Sequence, residues 1–189
     1  MITGHFGLAA AVKSSQRQVP LWALMLATVW LDVWFVPLVL LKVERMDPVP
    51  GTNGGYGDAI IHADYTHSLV GALIIAAVTG LLAARWWGRK SGAVIGAVVF
   101  SHWVLDLLVH RSDMPVLPGN LGNLPRMGFG LWQYPLLTAV IEGGIMLVGT
   151  VLYWRAAAKT GGPAGRVALS AGLIGVVGAA TLTLDVMGF

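Results

Sequence analysis

Apolar residues in this chain gather into long runs rather than into the alternation of half-buried strands, and polar residues break those runs at only a few positions. Five runs, residues 21–41, 66–84, 92–109, 132–154 and 167–186, are long enough to cross a bilayer as helices, which takes about 20 residues. A further run, residues 1–12, is apolar but too short to cross, and it lacks the charged start and cleavage site of a signal peptide. It reads as a re-entrant half-helix or an interfacial one. The expected architecture is all-α: a polytopic membrane helical bundle of about five transmembrane helices plus that short N-terminal helix, in one integral membrane domain over residues 1–189.

Composition agrees, at 56% hydrophobic, 11% charged and a mean hydropathy of +0.73. The net charge of +3 is spread over loops with no basic cluster, which gives no case for nucleic acid as a partner. With no cysteine there are no disulfides and no thiolate metal ligands. Lys13, Arg17, Arg85, Arg89, Lys90, Arg155, Lys159 and Arg166 fall on one side of the five runs, against Lys42, Arg45, Arg111 and Arg126 on the other. The positive-inside rule then puts the N-terminus in the cytoplasm and the C-terminus outside. The inside loops WWGRKSG and AKTGGPAG are short. The outside loops KVERMDPVPGTNGGYGDAIIH and RSDMPVLPGNLGNLPRMGFG are longer, with a Gly and Pro content that favours ordered turns. Trp30, Trp34, Trp86, Trp87, Trp132 and Trp154 mostly fall near run ends, as an interfacial belt does. Gly71, Gly80, Gly92, Gly96, Gly143, Gly144 and Gly149 are positions for close helix approach.

The chemistry sits in the polar interruptions. His102, Asp106 and His110 in SHWVLDLLVHRSD are four apart, so a helix turns them roughly 40° from one another and stacks them over about 12 Å on one side. An Asp near mid-bilayer costs on the order of 3 kcal/mol and needs a partner: a metal, a cofactor, a proton path or another buried charge. Asp32 in ATVWLDVWFVP and Glu142 in LTAVIEGGIML lie near mid-depth, and IHADYTHSLVGAL places His62, Asp64 and His67 at the outer end of the second run. Most of these groups can converge on one cavity in the outer half of a bundle. Imidazole with carboxylate and no thiolate suits Zn²⁺, Mn²⁺ or Fe²⁺. Each residue also has a structural reading. His102 suits a core histidine bonded to a carbonyl, His67 an interfacial residue, and His62 and Asp64 solvated loop residues, with Asp64 also a helix cap. Asp32 is a ligand or the partner of Arg45 or of a backbone donor. Glu142 beside Gly143 and Gly144 fits a hydrogen bond across a tight crossing. His110 with Arg111 and Asp113 reads as a surface ion pair at the rim. His5 and Asp185 carry no signal alone.

GHFGLAAA, LDVWFVPLVLL, HADYTHSLVGAL and SHWVLDLLVHRSDMPVLPG resemble the YdjM-like membrane-bound metal-dependent hydrolases, and GFGLWQYPLLTAVIEGG is similar to one bacterial subgroup of them. The resemblance covers most of residues 4–155 and is most specific at THSL and SHWVLDLLVHR. It implies a protein of the bacterial cytoplasmic (inner) membrane and a ligand set of His5, Asp32, His62, His67, His102 and Asp106 for a divalent metal, zinc foremost and manganese or iron as alternatives. The family's Pro-Asp-x-Asp segment is reduced here to Asp32, and Ala63 stands where the family carries arginine. With a site in the outer leaflet, the implied activity is hydrolysis of a lipid-like or lipid-linked ester or phosphoester. Asp32 or Glu142 then acts as the base or completes the ligand shell. The competing expectations are a non-catalytic subunit of a larger membrane complex, without a metal and with other membrane subunits and the lipid bilayer as partners, and a subunit in which His67 and His102 ligate haem or chlorophyll. A proton or ion path is opposed by the lack of inverted repeats and paired broken helices.

Overall fold

The computed structural model describes residues 1–51, 57–160 and 164–187. The loop segments TNGGY (52–56) and GGP (161–163), expected as turns, lie outside the described residues, as do residues 188–189. The order of elements is α1 (Ile2–Ser15), α2 (Leu21–Thr28), α3 (Trp30–Leu40), β1 (Arg45–Pro48), β2 (Ala59–His62), α4 (Leu69–Val109), α5 (Pro135–Ala158) and α6 (Ala164–Met187), with short 3-10 turns at Pro118–Asn123 and Leu131–Gln133. The chain is mostly helical, as expected. Among the described residues three helices, α4, α5 and α6, are long and apolar enough to cross a membrane, or up to four if α2 and α3 cross together. Leu81, Leu136, Leu147 and Val176 stand more than half exposed on their outer faces, a surface that suits a bilayer. The departure from all-α is a two-stranded antiparallel ribbon, β1 with β2, pairing Arg45 with His62 and Pro48 with Ala59.

The second and third apolar runs form one element. A straight 41-residue helix would hold Gly80 and Gly92 about 18 Å apart. In α4 a Cβ added to Gly80 would instead lie 2.9 Å from the Gly92 carbonyl oxygen, so residues 69–87 and 89–109 run back to back. The reversal needs one residue: Gly88 adopts φ 78° and ψ 163°, which L side chains rarely adopt. The expected loop WWGRKSG is therefore helical on both sides of a single glycine. Ser68 caps the first limb by accepting from the Gly71 N–H at 3.1 Å, the capping task that the sequence suggested for Asp64.

The first run is broken where one helix was expected. α2 and α3 meet at 49° across Val29, which sits at φ −113° and ψ 16°. Cross-links to other helices hold the break. The Thr28 carbonyl accepts from His102 Nδ1 at 2.8 Å, and the Thr28 hydroxyl donates to the His5 carbonyl at 3.1 Å. Pro37 further weakens α3 because it has no N–H to donate.

The interfacial reading of the N-terminal segment does not fit. At 14 residues α1 is about 21 Å long, short of the roughly 30 Å hydrocarbon core. Yet Thr3, His5, Ala9 and Ala10 are almost fully buried, because α1 is wedged against α5 and also touches α2, α4 and α6. Backbones meet where Gly7 crosses Gly149: a Cβ on Gly149 would fall on the Gly7 carbonyl oxygen. Gly144, expected to serve the same purpose, faces open space.

Gly149→Ala is therefore expected to destabilise the protein by about 1–3 kcal/mol, the usual cost of overpacking. Gly144→Ala should be neutral or gain up to about 1 kcal/mol from helix propensity. Thermal unfolding in detergent compares the two, and equal behaviour would contradict the α1–α5 crossing.

Candidate metal centre

Four elements deliver side chains to one point. The second limb of α4 supplies His102 and Asp106, and His110 caps its end. The α4 reversal returns His67, just before the Ser68 cap, to the level of those residues. Asp32 comes from the first turn of α3 and His5 from the start of α1. His5, His67, His102, Asp106 and His110 are all at most 3% exposed, while the Asp32 side chain is 38% exposed.

The short separations share an edge. His67 Nε2 and His102 Nε2 are 3.2 Å apart. Asp106 Oδ2 lies 3.0 Å from His102 Nε2 and 3.6 Å from His67 Nε2. Asp32 Oδ1 lies 3.5 Å and 3.4 Å from the same two nitrogens. Ligands on a tetrahedral ion with bonds of about 2.0–2.1 Å are separated by about 3.3 Å. Both triangles, His67–His102–Asp106 and His67–His102–Asp32, match that edge. His5 Nε2–H donates to the other oxygen, Asp106 Oδ1, at 3.1 Å, and its ring stacks on His102 with centroids 4.0 Å apart. His5, His102 and Asp106, and separately Asp32, His67 and His102, are each grouped closely enough to hold one ion.

Hydrogen bonds at the far side of the His67, His102 and His110 rings place a proton on each Nδ1. The Thr28 carbonyl can only accept, so His102 carries its proton on Nδ1. The Thr66 hydroxyl lies 3.1 and 2.9 Å from Glu44 Oε1 and Oε2 and donates to that carboxylate. Thr66 Oγ1 then accepts from His67 Nδ1 at 2.9 Å. His110 Nδ1 likewise donates to Asp113 Oδ1 at 2.9 Å, leaving Nε2 facing Asp106 Oδ2 at 3.6 Å. When both rings are neutral, His67 and His102 present two bare lone pairs across 3.2 Å, flanked by two carboxylates. Such a set is repulsive unless a cation joins it. The donor set, its spacing and the outward hydrogen bonds all fit a divalent ion.

The remaining expected residues go elsewhere. His62 lies in β2 and its Nε2 meets Asp47 Oδ2 at 3.0 Å, because the β1–β2 register turns it to that strand rather than to the cluster. Glu142 is fully buried and accepts from the Gly4 N–H at 3.0 Å, stabilising the start of α1. Asp64 pairs with Arg126 at 2.7 Å. Arg45 pairs with Asp47 instead of Asp32. The surface reading of His110 is overturned: His110 and Asp113 are buried, and the signal was the four-residue spacing from Asp106. Trp132 is also buried, its ring 4.4 Å from that of His110, rather than part of a belt. Glu44 in KVERMDP belongs to no motif, and no sequence signal marked it as the partner of Thr66. Trans imidazoles on one metal need about 4 Å between nitrogens, more than His67 and His102 allow, so a shared macrocycle does not suit them.

Among known proteins, no family model, no curated protein and no solved structure matches the chain.

Nitrogen-15 NMR of the neutral, metal-free protein should find His67, His102 and His110 as Nδ1–H tautomers and His5 as Nε2–H. An Nε2–H signal from His67 or His102 would put a proton in the 3.2 Å gap and remove the need for another cation.

Proposed function

We propose that this protein crosses the bacterial cytoplasmic membrane five times and is a metal-dependent hydrolase of lipid-like or lipid-linked esters or phosphoesters. Counting each limb of α4, the broken α2–α3 pair, α5 and α6 gives the five crossings. The lysine and arginine distribution favours a cytoplasmic N-terminus. The observation that carries the reading is the pair of imidazole Nε2 atoms held 3.2 Å apart between one buried and one partly exposed carboxylate.

His67, His102, Asp106 and Asp32 would hold the ion, zinc first by ligand type and manganese or iron as alternatives. When bound, a divalent cation supplies Lewis-acid polarisation and acidifies water to a pKa of roughly 7. The chain's own residues do the rest. His5 holds Asp106 Oδ1 and so turns Oδ2 toward the imidazoles. Asp32, the partly exposed carboxylate, completes the ligand shell on its most open side, and Glu142 is bonded to the Gly4 N–H. Arg45, Arg111 and Arg126 are committed to Asp47, the Gly57 carbonyl, and Asp64 with the Asp113 carbonyl. Two carboxylates already balance one divalent charge, so a carboxylic ester or phosphodiester fits better than a doubly charged phosphomonoester.

Elemental analysis of the detergent-purified protein beside Asp106→Asn tests the reading. The expected result is roughly one zinc, manganese or iron per chain, lost in the folded variant. Metal affinity should also weaken from about pH 8 to about pH 5, because protons compete for the imidazole lone pairs. Equal metal in both proteins would reject the ligand set. No metal in either would favour a non-catalytic membrane subunit with a proton as the cation.

A further inference from the structure

Glu44 is a carboxylate only 1% exposed that the ligand set leaves unused. It reaches the interior because α3 ends in a tight reversal. Lys42 takes φ 60°, its N–H donates to the Val39 carbonyl at 3.0 Å, and the Val43 N–H donates to the Leu38 carbonyl at 2.9 Å. The next residue, Glu44, then accepts from the Tyr65 and Thr66 N–H groups at 2.8 Å each and from the Thr66 hydroxyl. Two backbone N–H donors and a hydroxyl converge on it, so the carboxylate serves here as an acceptor.

We propose that Glu44 is a positioning residue that acts through Thr66 to keep the Nε2 lone pair of His67 directed into the cluster. The inference rests on the metal reading above. Because the Thr66 proton goes to Glu44, Thr66 Oγ1 has only lone pairs to offer His67 Nδ1 at 2.9 Å. That forces Nδ1–H and bares Nε2 toward His102, Asp32 and Asp106. Outer partners that orient a ligating histidine typically contribute 10–100-fold in metal affinity. A purely structural Glu44 would only staple the Tyr65–Thr66 backbone, and the two roles separate cleanly. Glu44→Gln keeps an oxygen for those N–H groups but turns an amide donor toward Thr66, which lets the hydroxyl donate to His67 Nδ1 and moves the imidazole proton to Nε2.

The test is Co²⁺ titration of the purified full chain, with the His67 tautomer read by nitrogen-15 NMR before metal is added. Glu44→Gln and Thr66→Val should each bind Co²⁺ about 10–100-fold more weakly, and Thr66→Ser should bind as the parent does. The Glu44→Gln/Thr66→Val double variant should be no weaker than Thr66→Val, and Glu44→Gln should shift His67 to Nε2–H. Parental Co²⁺ affinity in Thr66→Val, or losses that add in the double variant, would reduce Glu44 to a backbone staple and overturn the proposal. Should Glu44→Gln fail to fold, the Thr66→Val and Thr66→Ser pair still decides it. A parent protein that binds no Co²⁺ would sink the metal reading instead, while the His67 tautomer would still accept or reject the relay.

Discussion

In the neutral, metal-free state, with each ring's proton on Nδ1, the His67 and His102 Nε2 lone pairs repel each other across 3.2 Å and repel the Asp32 and Asp106 oxygens beside them. In an apolar bundle water does not screen that repulsion, so the arrangement persists only because the surrounding backbone holds it. Thr28 fixes one ring and Thr66 the other, and Trp103 Nε1–H donates to the His67 carbonyl at 2.9 Å, tying the two α4 limbs together at that level. A site that stores unfavourable electrostatics in this way is preorganised for a cation, since little rearrangement is left for binding to drive.

The irregular parts of the fold concentrate around this point. The Val29 break frees the Thr28 carbonyl for His102, the start of α4 presents His67, and the end of α4 presents His110. Away from it, helices pack through small residues. Gly80 meets Gly92 and Gly96, and Gly7 meets Gly149, so the bundle is narrow enough for a 14-residue α1 to bring His5 to Asp106. The loops on this side do more than connect. The Ile61 N–H donates to Asp113 Oδ2 at 3.2 Å while Asp113 Oδ1 holds His110, which joins the β ribbon to the cluster through one carboxylate.

Hydropathy made the apolar helices legible because outward-facing apolar residues such as Leu81 and Val176 carry the signal whatever the interior does. The 3.6-residue repeat made the His102–Asp106–His110 stripe legible for the same local reason. What stayed hidden depends on contacts distant in sequence. Nothing near Val29 announces a break made by His102 and His5, and WWGRKSG does not say that Gly88 alone turns the chain. His62 and His67 share one segment, yet strand register sends His62 to Asp47 while His67 turns inward. Asp113 looked like a solvent partner for His110 because burial cannot be read from a Gly- and Pro-rich loop. Glu44 was hidden because its role is set by a left-handed Lys42 and by a threonine 22 positions away.

Exposure orders the cluster as clearly as distance does. The side chains of His5, His67, His102, His110 and Asp106 are 1–5% exposed, and Asp32 is 38% exposed. Asp32 is therefore the member of the cluster most open to its surroundings. Phe35, one turn further along α3, packs its ring 5.6 Å from His67 and shields that side with an apolar edge. Asp32 thus adjoins apolar helix surface, including the exposed Val33 next to it and Val36 one turn on. An amphiphile that approaches laterally can keep its apolar part against α3 while its polar part meets Asp32. A fully hydrated solute would have to shed water against the same valines, which is why the proposed reading takes an amphiphile rather than a freely soluble ester.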